Sequence, residues 1–233
     1  MGNLKTSREM TAFRTALNFL FPPLCFHCSA FVKERKLLCK ACLEQFTLLS
    51  PGERCRVCFA PLENRKSLCG RCPAQALRLA AAFEYEGPVV SLLTAFKEGR
   101  QFALARTFAA FITAQLVALN WPIPDLILPL PLPLGSRFFV GYDSNALLAR
   151  EVGRFLFRPS LSILKTGFSQ ELFVLRKKRK IADQTLLLIA DFMTTQMTFR
   201  MAAEALKNSF SGPVFGLSVA CRSEEPFPAK ECR

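Results

Sequence analysis

The sequence predicts an α/β protein in which a small cysteine-rich module precedes a doubly wound, mostly parallel sheet. Two observations carry this. Eight of the ten cysteines fall before residue 73 in four C-x-x-C pairs. Beyond them, apolar strand-like runs alternate with helix-like segments, the pattern of a parallel sheet covered on both faces.

The pairs are Cys25/Cys28, Cys39/Cys42, Cys55/Cys58 and Cys69/Cys72, and each cysteine of the first four recurs 30 residues later in the second four. That repeat reads as a tandem duplication of one small ribbon. Two thiolates three positions apart on a tight turn can face one ion, and two such turns complete a tetrahedral site. The count therefore predicts two zinc ions. Four thiolates per ion close the coordination sphere, which makes each zinc structural and not hydrolytic. Ligation within each unit is the simplest grouping, and a crossed grouping of outer with inner pairs stays open. His27, the single histidine, lies between two ligands and is expected to be a surface side chain. Cys221 and Cys232 have no partner motif and are expected to be ordinary thiols.

The second domain is expected to start near residues 73–78. Residues 79–85 suit a strand. Gly87 and Pro88 then turn the chain into a helix reaching Lys97, because proline is favoured in a first helical turn, and Gly99 closes it. Residues 103–120 are apolar and alanine-rich, a longer buried helix ended by Trp121-Pro122. Residues 125–130 (DLILPL) read as a buried strand running into a proline-rich loop, followed by a helix from about Asp143 to Phe155 and a short strand at 161–164. The unbroken apolar run 185–189 (TLLLI) has the look of a central parallel strand. An amphipathic helix over 195–208 and a last strand over 213–220 complete the domain. Ligands of such sheets bind beyond the carboxyl ends of the strands, which selects the loops after Leu130 and Ile189.

With 31 Lys and Arg against 18 Asp and Glu, the chain carries a formal charge of +13. Phosphate-rich partners are the first to consider. No run reaches the roughly 20 apolar residues of a membrane span. The opening MGNLKTSREMTAFRTALNFLFPP has basic residues but no long apolar stretch, so a cytoplasmic, reducing setting is expected, which favours zinc over disulfides.

The stretch LLLIADFMTTQMT, residues 186–198, resembles the strand-loop-helix fingerprint of type I phosphoribosyltransferases. With the tandem ribbons and the segment FEYEGPVVSLLTAFKEGR at 83–100, the chain resembles the ComF family over nearly its whole length. The chain is expected to divide into a helical lead-in over 1–20, a double zinc ribbon over 21–75, a phosphoribosyltransferase-like domain over 76–223 and a tail over 224–233. The resemblance implies a role in DNA uptake during natural transformation, with competence-machinery proteins as partners. In active relatives an acidic pair holds the ribose of phosphoribosyl pyrophosphate (PRPP), bound with magnesium, and the next turn cradles its phosphate at a helix N-terminus. Here Asp191 matches the second acidic position while Ala190 stands at the first. Thr194, Thr195 and Thr198 match hydroxyl positions of the phosphate loop, but Gln196 replaces its glycine. In the loop 132–144, Arg137, Gly141 and Tyr142 are kept in kind, whereas Val140, Asp143 and Ser144 depart. These residues imply a degenerate PRPP site, with weak binding or none.

The run Arg176, Lys177, Lys178, Arg179 and Lys180 can contact phosphate backbones, and further basic residues lie on both ribbons. Single-stranded DNA is the partner that the resemblance implies and the charge permits. A working phosphoribosyltransferase and a non-catalytic interaction scaffold remain open beside it, because fold does not fix function.

Overall fold

The computed structural model describes residues 22–32, 36–62, 67–73, 76–132, 142–166, 173–175, 183–207 and 209–222. The elements are α1 (Lys40–Glu44), β1 (Arg78–Glu84), α2 (Gly87–Lys97), α3 (Leu104–Ala118), β2 (Leu126–Pro129), α4 (Ser144–Leu156), β3 (Leu164–Thr166), β4 (Phe173–Leu175), β5 (Leu186–Met193), α5 (Met197–Lys207) and β6 (Val214–Cys221).

Four strands form one parallel sheet in the order β1-β6-β5-β2. Their side chains alternate between two cores, as the period of two requires. Ala80, Ala82, Ile127, Leu187, Ile189, Leu217 and Val219 face α2, α3 and α4. Leu79, Ala81, Leu126, Leu128, Leu186, Leu188 and Ala190 face α5 and the small hairpin. Gly216 sits where a Cβ would collide with Phe199 and Leu79, so its bareness lets α5 settle on the middle of the sheet.

Two sequence expectations are corrected. The strand expected at 161–164 is displaced: β3 begins at Leu164 and pairs antiparallel with β4 outside the main sheet, while Ser160 alone bridges Ile127. Leu164 and Phe173 bury against the α5 side, which rewards a hairpin over an added parallel strand. β5 also runs four residues past Ile189, because β6 continues to pair with it as far as Met193. Asp191 therefore lies on a strand and not in a loop.

The cysteine-rich module packs along the β1 edge. Leu49 N–H donates to Ala82 O at 2.9 Å and Leu79 N–H to Val57 O at 2.8 Å, using backbone groups that the edge strand would otherwise leave open. Arg54 adds an ion pair to Glu84 at 3.0 Å. From α3, the fully buried Gln115 donates to Leu49 O at 2.9 Å.

Candidate functional site

The two ribbons repeat the same hydrogen bonds around their first knuckles. Cys25 N–H donates to Ala30 O and Cys55 N–H to Ala60 O; Ser29 N–H donates to Cys25 O and Phe59 N–H to Cys55 O. Phe26 N–H to Leu37 O and Arg56 N–H to Ser67 O close the same loop in each unit. Ser29 and Phe59, also 30 apart, share a left-handed backbone with φ of 59° and 61°.

These knuckles gather the sulfurs within units and not across them. Cys25, Cys28, Cys39 and Cys42 form one set and Cys55, Cys58, Cys69 and Cys72 the other, with the Sγ atoms of each set inside 4.8 Å. Sulfur separations within the sets include 3.6 Å for Cys28–Cys39, 3.7 Å for Cys58–Cys69 and 3.6 Å for Cys69–Cys72. A disulfide would need about 2.05 Å, whereas a tetrahedral zinc with bonds of about 2.3 Å spaces its sulfurs by about 3.8 Å. The two four-cysteine sets thus fit two structural zinc ions. Burial works to raise the Cys25 thiol, but amide hydrogen bonds from Cys28, Cys39 and His27 bring it down to about 6. The side chain of Cys58, helped by backbone amides and against burial, brings Cys55 down to about 4. Burial pushes Cys42 up, and Cys55 pushes Cys58 up. The amides that favour thiolate are those a metal knuckle aims at its ligands. His27 points elsewhere, with Nδ1 2.9 Å from Ser91 Oγ on α2.

At the carboxyl ends of β2 and β5 a second constellation forms. Asp191, 3% exposed, has both carboxylate oxygens engaged: Lys97 Nζ lies 3.0 Å from Oδ1, and Ser144 donates to Oδ2 at 2.6 Å. Asn145 ties the ends of two strands together, accepting from Asp191 N–H at 2.8 Å and donating to Leu130 O at 2.9 Å. Asp143 caps α4 by accepting from Ala146 N–H at 3.0 Å, as an N-terminal aspartate should. Tyr142 donates to Phe96 O, and burial together with the nearby Asp191 charge pushes its hydroxyl up to about 12.

In the turn from β5 to α5, Thr194, Thr195 and Thr198 are exposed, while Gln196 between them is completely buried. Its Nε2 donates to Cys58 O of the second ribbon at 3.0 Å, and its Oε1 accepts from Arg200 at 3.2 Å. Gln196 does not take positive φ. Ala190 packs in the α5-side core at 3% exposure. Asp191 lies on β5, and the three threonines follow it along the chain in the turn from β5 and the first turn of α5. Arg137 and the basic run 176–180 lie outside the described residues. Sequence reasoning missed Lys97 and Asn145 as partners of Asp191; Lys97 lay within the FKEGR segment, but nothing local links it to a residue far along the chain.

Comparison with known proteins bears on both halves. Residues 16–73 match the double zinc ribbon domain family. Competence protein F of Haemophilus influenzae is 27% identical over 151 residues, covering 59% of this chain and 62% of that relative. Together these support a ComF-like family assignment. The ribbon match spans both four-cysteine sets, and the parallel sheet behind them agrees with the α/β domain expected from the resemblance. No helix among the described residues is long and apolar enough to cross a membrane.

Proposed function

We propose that this chain serves competence by binding single-stranded DNA through its basic surface, on a phosphoribosyltransferase-like frame whose ligand site has become structural. The observation that carries the reading is the state of Asp191. A ribose anchor must offer carboxylate oxygens to a ligand, and here Lys97 and Ser144 occupy both from within the chain. Ala190 supplies no second acid, and the Gln196 side chain serves the second ribbon instead of leaving the phosphate turn bare. A charge of +13 supports attraction to nucleic acid, and the competence relative supports the biological setting.

The exposed Thr194, Thr195 and Thr198 at the start of α5 favour one second reading, a surviving phosphoribosyltransferase in which these hydroxyls hold the PRPP phosphate. Calorimetric titration of zinc-loaded protein with an oligonucleotide, beside PRPP and magnesium, separates the two. Oligonucleotide binding without PRPP binding is expected. PRPP binding alone would overturn the DNA reading in favour of the enzyme, and neither would leave a protein-interaction scaffold.

A further inference from the structure

α4 starts at the carboxyl ends of the strands and carries the chain back to the opposite end of the sheet, where Ser160 bridges Ile127 near the start of β2. The helix stops at Phe157, whose φ of 53° and ψ of 43° are left-handed. Glycine is the usual residue at this position, because a Cβ is strained there, and a bulky aromatic is an outlier. Phe59 has the same strain but is 3% exposed, so packing in the core compensates it. Phe157 is 92% exposed and receives no such return. An aromatic ring held in water at a strained backbone position calls for a reason outside the fold.

Its surroundings supply one. Phe157 shares a shallow cleft of about 460 Å³ with Arg150, Arg154, Arg158, Gly153 and Ser160. A Cβ at Gly153 would stand 2.7 Å from Arg158 O, so this glycine allows the chain after the helix to fold back tightly and place Arg158 beside the other two arginines. Glu151, 8% exposed, contacts Arg154 at 2.6 Å and Arg150 at 3.9 Å from below, while those side chains remain 64% and 60% exposed. The carboxylate positions the guanidinium groups and leaves the cleft with net positive charge.

We propose that this cleft is a contact site for single-stranded nucleic acid, in which Phe157 stacks an unpaired base and Arg150, Arg154 and Arg158 hold the flanking phosphates. An exposed ring offers a face to any base without reading its sequence. Guanidinium groups match phosphate oxygens in pairs. A duplex hides its base faces, so the combination favours single strands. The site rests on the DNA-binding reading above and locates a surface for it, at the end of the sheet remote from Asp191 and at the edge away from the ribbons.

The test uses the zinc-loaded full chain and a labelled oligothymidylate followed by anisotropy. Phe157→Gly should weaken binding roughly tenfold, given typical base-stacking energies, while the thermal midpoint holds or rises because glycine relieves the left-handed strain. An abasic oligonucleotide should weaken the parent protein similarly and leave Phe157→Gly indifferent. The pair Arg150→Ser and Arg158→Ser should flatten the salt dependence by about 1.4, at roughly 0.7 per phosphate contact. Binding by the parent with no change in either variant would overturn the site and leave the DNA reading standing. Failure of the parent to bind at low salt would overturn both. If the variants lose binding to phosphatidylglycerol vesicles but keep oligonucleotide affinity, the cleft is a membrane contact and the proposal is wrong.

Discussion

Gln196 donates a 3.0 Å hydrogen bond to the backbone carbonyl of Cys58, tying the turn after β5 to a knuckle of the second ribbon across 138 positions of chain. Both groups are buried, so removing the amide leaves a carbonyl without its partner. Gln196→Ala should cost about 1 to 3 kcal/mol in chemical denaturation. It should also quicken chelator extraction of one zinc of the two. Equal extraction rates in parent and variant would show that the contact does not brace the knuckle.

Reduced protein should contain two zinc ions per chain by elemental analysis, because each four-cysteine set is complete. Cys28→Ser removes one thiolate from the first set and should leave one zinc and a protease-sensitive first ribbon, since metal binding and ribbon folding are one free-energy event. A metal-free ribbon that resists protease would contradict structural ligation.

Submicromolar PRPP binding is not expected from the native sequence, with or without magnesium. Restoring an acid at the empty position should not be benign either. Ala190 lies 3% exposed in the apolar cluster that holds Leu79, Leu188 and Phe199, so Ala190→Asp would bury a carboxyl group where even an unpaired neutral polar group costs about 1 to 3 kcal/mol and a charged one more. A variant as stable as its parent would mean that the side chain escapes to the ligand side, reopening the enzymatic reading.

The contrast between Ala190, Asp143, Ser144 and Gln196 shows how far the sequence could be read. All four appear in the sequence as departures from a ligand-binding pattern, and in the fold each has an internal use. The cap at Asp143 reaches three residues and follows a local rule. The bonds of Ser144 and Gln196 span 47 and 138 positions, so no periodicity or motif announces them. The cysteine framework was legible for the opposite reason: ligand spacing is local and the unit is repeated. The main strands were legible from apolar runs, while the β3–β4 hairpin was not, since three-residue strands carry too little pattern and depend on what the α5 side offers to bury against.

Tyr142 should ionise late. Burial and the Asp191 charge raise its hydroxyl from 10.0 to about 12, so the folded chain binds this proton more tightly than the unfolded one. The resulting stability is fully present below pH 10 and is lost as the pH rises through 12. The chain has two tyrosines, and the phenolate absorbance difference between the parent and Tyr142→Phe should show a single midpoint near 12. A midpoint at the ordinary value would place the hydroxyl in water, away from Phe96.

Single-strand binding should be sensitive to salt and tolerant of sequence, because a +13 chain binds phosphates by releasing their counterions. If about four phosphates are neutralised, the logarithm of the binding constant should fall against the logarithm of salt with a slope near −3, at roughly −0.7 per contact. Replacing Arg176, Lys177, Lys178, Arg179 and Lys180 together by serine removes five cations without touching either four-cysteine set or the α4 cleft. The slope should flatten by the number of contacts this run makes, and circular dichroism should be unchanged. Phe157→Gly should act differently, weakening binding at every salt concentration with little change of slope, because stacking releases no counterions. The two effects are therefore separable in one titration series. An unchanged slope and affinity in the serine variant would return the basic run to solvated surface and leave the ribbons and the α4 cleft as the nucleic-acid contacts.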